Sequence, residues 1–417
     1  MRWRTRLKPG HLPLAIGASA MVISWFYLTW NTTVGELIPA LRFRTKATIA
    51  GIVEESGPIL SFDTVLRGTY QQWISVSIGK LSPIFKPAVG WKNQIYYSLL
   101  GTSGSSSVVI GKEQQLLGTS YLSEYCSRDL EKLHEQGEAW AQRISQMQYY
   151  FESRGKVFLY VVTPSKVARN PQYIPDNYTC PATAKDRLDK LLVYDYILDR
   201  HGVHFVDTAS DLAATREEYG ISMFPRGGIH WNSLAAALGT QTLIAAVNAQ
   251  QRGAILAELS FTWRVSYHPR GLDRDMVDIL NMPFPDLHYA VPELTYRSNA
   301  GAAGCNAIRI TEVSGSFIFG INDALQKLAC PPDITEWFYW DWNLMHYANN
   351  QQDVLPIDAQ ARRRSLLDAD VVILEENEAS GPQSRHGELM VQEVDALTQT
   401  ASALDPQSAG SPPPPPQ

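Results

Sequence analysis

Residues 157–164 read Val-Phe-Leu-Tyr-Val-Val-Thr-Pro, a nearly unbroken apolar run closed by a proline. Such a run has no polar face, so it fits a strand covered on both sides, as in a parallel sheet. Shorter strand candidates follow at 203–206, 308–313, 335–340 and 371–375. Helix candidates separate them. Residues 129–154 precede the first run, and 182–200 place Leu188, Leu191, Leu192, Tyr194 and Leu198 near helical spacing. Asn232-Ser233 can cap a helix over 235–249, and 322–328 reads as another. Strands alternating with helices of this length predict an α/β sandwich with a mainly parallel central sheet. In such a fold, functional residues belong at the carboxyl ends of the strands.

The rhythm breaks between about 259 and 297, where Phe261, Trp263, Val265 and Tyr267 alternate as in a β segment. This stretch is expected to be an insertion or lid in a domain spanning 103–385. Residues 386–417 are expected to be a tail, disordered from about 404, because five consecutive prolines near the end cannot enter a helix or a ladder.

The other end carries Arg2, Arg4, Arg6 and Lys8, followed by the uncharged stretch 12–30. As a helix that stretch just reaches across a hydrocarbon layer of roughly 30 Å. The expectation is a basic cytoplasmic segment over 1–11, an anchor over 12–30, and a leading segment over 31–102 packed on the core. The positive flank places the body on the periplasmic side of the inner membrane. A cleaved signal peptide is the alternative, although no small-residue cleavage site follows promptly. Lys+Arg 36 against Asp+Glu 42 leaves a formal charge of −6, and the body beyond the basic cluster is more acidic still. A surface without surplus cations cannot displace phosphate counterions, so nucleic acid is excluded as a partner. Four cysteines, Cys126, Cys180, Cys305 and Cys330, include no CxxC pair. In an exported body disulfides are the default. Of three possible pairings, the sequence-local one, 126–180 with 305–330, is expected. No GxGxxG, P-loop, HExxH or EF-hand pattern is present, so no nucleotide or metal cofactor is expected.

Two positions stand out chemically. Ser316 follows the 308–313 strand and precedes a helix, a turn where backbone amides can face a developing oxyanion. Position 318 is Ile, so the GxSxG elbow is not satisfied. His230 lies in Pro225-Arg226-Gly227-Gly228-Ile229-His230-Trp231-Asn232, a glycine-rich loop leading into a helix. It is the candidate base, within a set where Arg226, Trp231, Asn232 and Asn322 are candidates for substrate contact. A turn serine, a helix-start histidine and capping amides are the structural alternatives.

Taken in order, Val108 to Lys112, Tyr121 to Cys126, Phe158 to Lys166, Gly228 to Asn232, Gly315 to Phe317 and Val371 to Glu378 resemble the SGNH-hydrolase-like acetyltransferases of the alginate O-acetyltransferase family. The resemblance spans about 60–380. It implies an SGNH-like three-layer core and a Ser-His-Asp triad that moves acetyl groups onto polysaccharide hydroxyls. It also implies an acetyl donor delivered by a membrane-embedded partner. Ser316 falls at the nucleophile and His230 at the base. In the best-known members an aspartate stands two positions before the histidine, where this chain has Gly228. Asp207, Asp211 and Asp323 are the candidate replacements. An esterase using water as acceptor, and an impaired scaffold or glycan-binding subunit, are the alternatives.

Overall fold

A computed structural model describes residues 85–404, apart from 298–307, 340–342, 349–350 and 356–357, together with isolated positions between 19 and 67. The chain divides into two compact units, one holding 1–108 and 276–286, the other 109–275 and 287–417.

In the first unit, helix α1 (Phe85–Leu100) receives the 276–286 segment. Asn93 Nδ2 donates to the carbonyl of Leu280 at 2.6 Å, and Gln94 Oε1 accepts from Phe284 N at 2.9 Å.

The second unit holds α2 (Thr119–Cys126), α3 (Leu130–Glu152), β1 (Val157–Thr163), α4 (Lys190–Arg200), β2 (Phe205–Asp207), α5 (Thr208–Tyr219) and α6 (Ser233–Ala249). The hairpin β3 (Phe261–Ser266) and β4 (Val291–Tyr296) follows. Then come β5 (Arg309–Ser314), α7 (Ile318–Leu325), β6 (Asp333–Phe338), β7 (Leu344–Ala348), β8 (Gln351–Leu355), α8 (Ala359–Asp368), β9 (Val371–Asn377) and α9 (Arg385–Leu404). Among the described residues the main sheet has seven strands in the order β8-β7-β6-β5-β9-β1-β2. The five from β6 to β2 are parallel, and β7 and β8 extend the edge antiparallel.

All seven residues of β1 are buried, which explains its unbroken apolar sequence. Val157, Leu159 and Val161 face a core built with Leu234, Leu243, Ile318 and Ile321 of α6 and α7. Phe158, Tyr160 and Val162 face the opposite core, built with Ile144, Phe151, Tyr194 and Leu198 of α3 and α4. Alternation with period two thus fills both layers of a three-layer sandwich.

The expected 182–200 helix breaks at Asp189 into Ala184–Leu188 and α4. The segment expected to be a tail continues as α9 to Leu404, because Met390 and Val394, four residues apart, are buried in the second core. Cys126 and Cys180 form a disulfide. Cys330 is also disulfide-bonded, and Cys305 lies outside the described residues.

The anchor expected over 12–30 needs correction. Among the described residues no helix is long and apolar enough to cross a membrane. Within that stretch Ser19, Val22, Ile23, Trp25, Phe26, Tyr27, Thr29 and Trp30 are described, and the remainder, like segment 1–11, lies outside the described residues. The sandwich is therefore assigned without a preceding transmembrane helix. The bilayer contact and the single-pass inner-membrane placement depended on that helix and are withdrawn with it, and the membrane-embedded donor partner expected from the resemblance is withdrawn as well.

Candidate active site

The site lies past the carboxyl ends of the parallel strands. Strand β5 ends at Ser314, and Gly315-Ser316-Phe317 turns the chain into α7. Glu375 of β9 holds this turn: its Oε2 accepts from Gly315 N at 2.6 Å, and its Oε1 accepts from the Thr163 hydroxyl. Burial raises the Glu375 carboxyl above its ordinary range, opposed by His386, by Thr163 and by the Gly315 amide. A Cβ on Gly315 would stand 3.2 Å from Glu375 Oε2, so glycine suits the close approach.

His230 comes from the loop between α5 and α6. Asn232 fixes the far end of this loop: its Oδ1 caps α6 through Ala235 N at 3.0 Å, and its Nδ2 donates to the Ser222 carbonyl at 2.6 Å. Trp231 is fully buried and donates from Nε1 to the Phe317 carbonyl at 3.0 Å, tying the histidine loop to the serine turn. The His230 and Phe317 rings lie 4.7 Å apart. Held in this way, His230 Nε2 is 2.8 Å from Ser316 Oγ. Its Nδ1 pairs with Asp275 Oδ2, while Asp275 Oδ1 accepts from Ile229 N at 2.9 Å. With the ring proton on Nδ1, Nε2 is the lone pair that faces the serine hydroxyl.

The three acids weighed from the sequence sit elsewhere. Asp207 caps α5 through Ala209 N and Ser210 N. Asp211 lies in the first turn of the same helix, where burial raises its carboxyl and Thr242 bonds it. Asp323 is exposed on α7. The partner of His230 is instead Asp275, in the segment expected to be an insertion. Gly228 makes this arrangement possible. A Cβ there would meet the Leu272 carbonyl oxygen at 2.3 Å and Pro225 Cγ at 2.8 Å. The backbone leading to Asp275 occupies the space a side chain at 228 would need. No linear spacing relates Asp275 to His230, so only the missing acid at 228 hinted at a donor from elsewhere.

Tyr339, just past β6, is a second residue absent from the sequence reading. Burial raises its phenol, and a hydrogen bond with Ser316 pulls the other way. The Arg226 guanidinium stacks 4.9 Å over the Tyr289 ring. Asn322 is buried and donates to Glu336 Oε2 at 3.3 Å. A cavity of about 600 Å³ has Trp231, Asp273, Phe319, Asn322 and Tyr347 in its walls. Each segment carrying a member of the Ser-His-Asp series continues into this lining within three residues. Burial pushes Asp273 up to about 6, with Asp275 adding to the rise and the Arg270 backbone opposing it. Among the described residues no group of three His, Cys, Asp or Glu side chains could hold a metal ion.

Serine, imidazole and carboxylate in hydrogen-bonded series past the carboxyl ends of parallel strands have the arrangement of serine-based acyl-transfer sites. The sequence comparison narrows the class. Residues 108–279 match the family described as SGNH hydrolase-like domain, acetyltransferase AlgX, a span that takes in His230 and Asp275 and ends before Ser316. Over that span the chain is similar to the SGNH hydrolase-like domain of the AlgX acetyltransferases. Similar solved structures include the O-acetyltransferase domain of Pseudomonas putida AlgJ, at 15% identity and TM-score 0.45, covering 70% of this chain and 99% of that one. Pseudomonas aeruginosa AlgX follows at 12% identity and TM-score 0.43, covering 74% and 71%. Bacillus cereus PatB1 stands at 13% and 0.43, covering 66% and 97%. No curated protein sequence matches the chain.

Proposed function

We propose that the protein is an O-acetyltransferase that passes an acetyl group through Ser316 to hydroxyls of a polysaccharide. The observation that carries the reading is the Ser316–His230–Asp275 series. Ser316 Oγ attacks the acetyl carbonyl of the donor while its proton moves to His230 Nε2. Asp275 stabilises the imidazolium and fixes its tautomer. Collapse of the tetrahedral adduct expels the donor's leaving group, which takes the proton from His230. An acceptor hydroxyl then gives its proton to His230 and attacks the acetyl-serine, and the return of that proton to Ser316 Oγ restores the enzyme.

The aromatic and amide walls of the neighbouring cavity suit a polyhydroxylated acceptor, which offers apolar ring faces and hydroxyl edges. Arg226, Trp231, Asn232 and Asn322 divide on this reading. Trp231 and Asn232 hold the loop in place, Asn322 forms part of the cavity wall, and Arg226 is braced on Tyr289. The scaffold alternative drew its weight from Gly228, and Asp275 supplies the carboxylate that position lacks.

The test is acetyl transfer from a chromogenic acetyl ester to a panel of oligosaccharides, followed by mass spectrometry. Ser316→Ala and His230→Ala should each lower transfer by about a thousandfold or more, and the double variant should lose little beyond either one. Release of free acetate with no acetylated sugar from any acceptor would make the protein an esterase. Undiminished transfer by Ser316→Ala would end the reading.

A further inference from the structure

The loop carrying His230 must satisfy its own backbone, since its residues 225–228 lie outside any helix or strand. Leu116 N reaches the Arg226 carbonyl at 3.0 Å and Gly228 N the Pro225 carbonyl at 3.4 Å, and one side chain adds three more bonds. Lys166 follows β1 by three residues and is 1% exposed. Its Nζ donates to the carbonyls of Pro225 at 2.7 Å, Gly228 at 2.8 Å and Arg226 at 3.1 Å. Three acceptors match the three N–H groups of an ammonium, the compensation a buried lysine requires. The loop is therefore held by a cation at its start and by the Asp275 carboxylate at Ile229 and His230.

We propose that Lys166 is a positioning residue for the acyl-transfer step, its ammonium holding the 225–228 carbonyls so that His230 Nε2 stays in reach of Ser316. The inference rests on reading Ser316 and His230 as the reacting pair. It also has a consequence in pH. A neutral amine has two N–H groups for three carbonyls, so loss of the proton loosens the loop. Burial pulls the Lys166 amine down to about 7, with Asp275 raising it and Arg226 lowering it; these are the charged groups that face it. The full clamp is present below that value and is lost as pH rises through it. Reactivity of Ser316 should therefore fall on the alkaline side, where a neutral imidazole would otherwise favour it.

The experiment measures the rate at which phenylmethylsulfonyl fluoride labels Ser316 in the full chain across pH, by intact mass and peptide mapping. Wild type, Lys166→Arg and Lys166→Met are compared. A guanidinium stays charged throughout. Wild type should lose about fivefold in labelling rate above neutrality, the scale of one buried hydrogen bond. Lys166→Arg should retain part of the neutral rate and lose the alkaline fall, and Lys166→Met should be slow at every pH. Identical pH profiles in wild type and Lys166→Arg overturn the proposal. If wild type is never labelled at Ser316, the reading of the reacting pair fails instead. Should Lys166→Arg not fold, wild type decides alone: a lysine Cε resonance must titrate in step with the fall in labelling, and no such resonance overturns the proposal.

Discussion

Asp275→Asn changes almost no volume and removes one charge, so its effect isolates the carboxylate. In the wild type Asp275 accepts twice, from Ile229 N at 2.9 Å through Oδ1 and from His230 Nδ1 through Oδ2. A carboxamide has one oxygen and can serve one of these donors. If the oxygen keeps Ile229, the amide NH2 donates to Nδ1, the ring proton moves to Nε2, and the imidazole can no longer accept from Ser316. If the oxygen turns to His230, the NH2 faces the Ile229 amide, and an unsatisfied donor costs about 1–3 kcal/mol. Both outcomes also remove the charge that stabilises the imidazolium. A wrong tautomer in a serine triad lowers turnover by about 10⁴-fold, or ~5.5 kcal/mol of barrier. We therefore expect kcat on a chromogenic acetyl ester to fall by about 10³- to 10⁴-fold with KM little changed. The same change at Asp207, Asp211 or Asp323 should cost far less. A loss below about tenfold for Asp275→Asn, or a larger loss at any of those three, would refute the assignment of the acid.

Gly228→Asp, which places an acid two positions before His230, should not rescue Asp275→Asn. Its Cβ would meet the Leu272 carbonyl oxygen at 2.3 Å, and overpacking of this kind costs about 1–3 kcal/mol or more, readable as a shift in the urea midpoint. Glu336, a buried carboxyl on β6, is pushed up from 4.5 to about 8 by burial, with Tyr347, Ser314 and Asn322 bonding it. The folded state then holds a proton that the unfolded chain releases, so stability should fall as pH rises from 4.5 through about 8. Glu336→Gln should flatten that fall in Tm, and an unchanged pH dependence would contradict it. Asn232→Ala removes the cap of α6 and should lower unfolding free energy by about 0.5–2 kcal/mol in urea titrations.

Much of this architecture was legible because burial on both faces leaves a strong mark. Val157 to Thr163 could only be an interior strand, whereas of the apolar positions read on 182–200 Leu191, Tyr194 and Leu198 are buried and Leu188 and Leu192 are exposed. Ser316 and His230 were legible from their turns and from the order of the motifs around them. The rest was hidden for physical reasons. Strands β7 and β8 form an edge with residues such as Val354 exposed, so no unbroken apolar run announces them. Helix α9 buries Met390 and Val394 with Val391 and Leu397 packed beside them, but Glu388, Gln392, Glu393 and Asp395 interrupt its apolar positions. Asp275 reaches His230 only through folding of the 270–275 segment over Gly228, a contact between residues 45 positions apart that no local pattern encodes. Tyr339 meets Ser316 because neighbouring parallel strands end together, which becomes visible only once the sheet order is known.

The central claim is that an acetyl group resides on Ser316 during turnover. Rapid acid quench of the protein during reaction with a chromogenic acetyl ester, followed by peptide mapping, measures this directly. The account predicts acetate esterified to the peptide containing Ser316, absent from Ser316→Ala and strongly reduced in His230→Ala and Asp275→Asn. Turnover with Ser316 unmodified at every quench time, or acetylation of that serine at wild-type rate without His230, would contradict it.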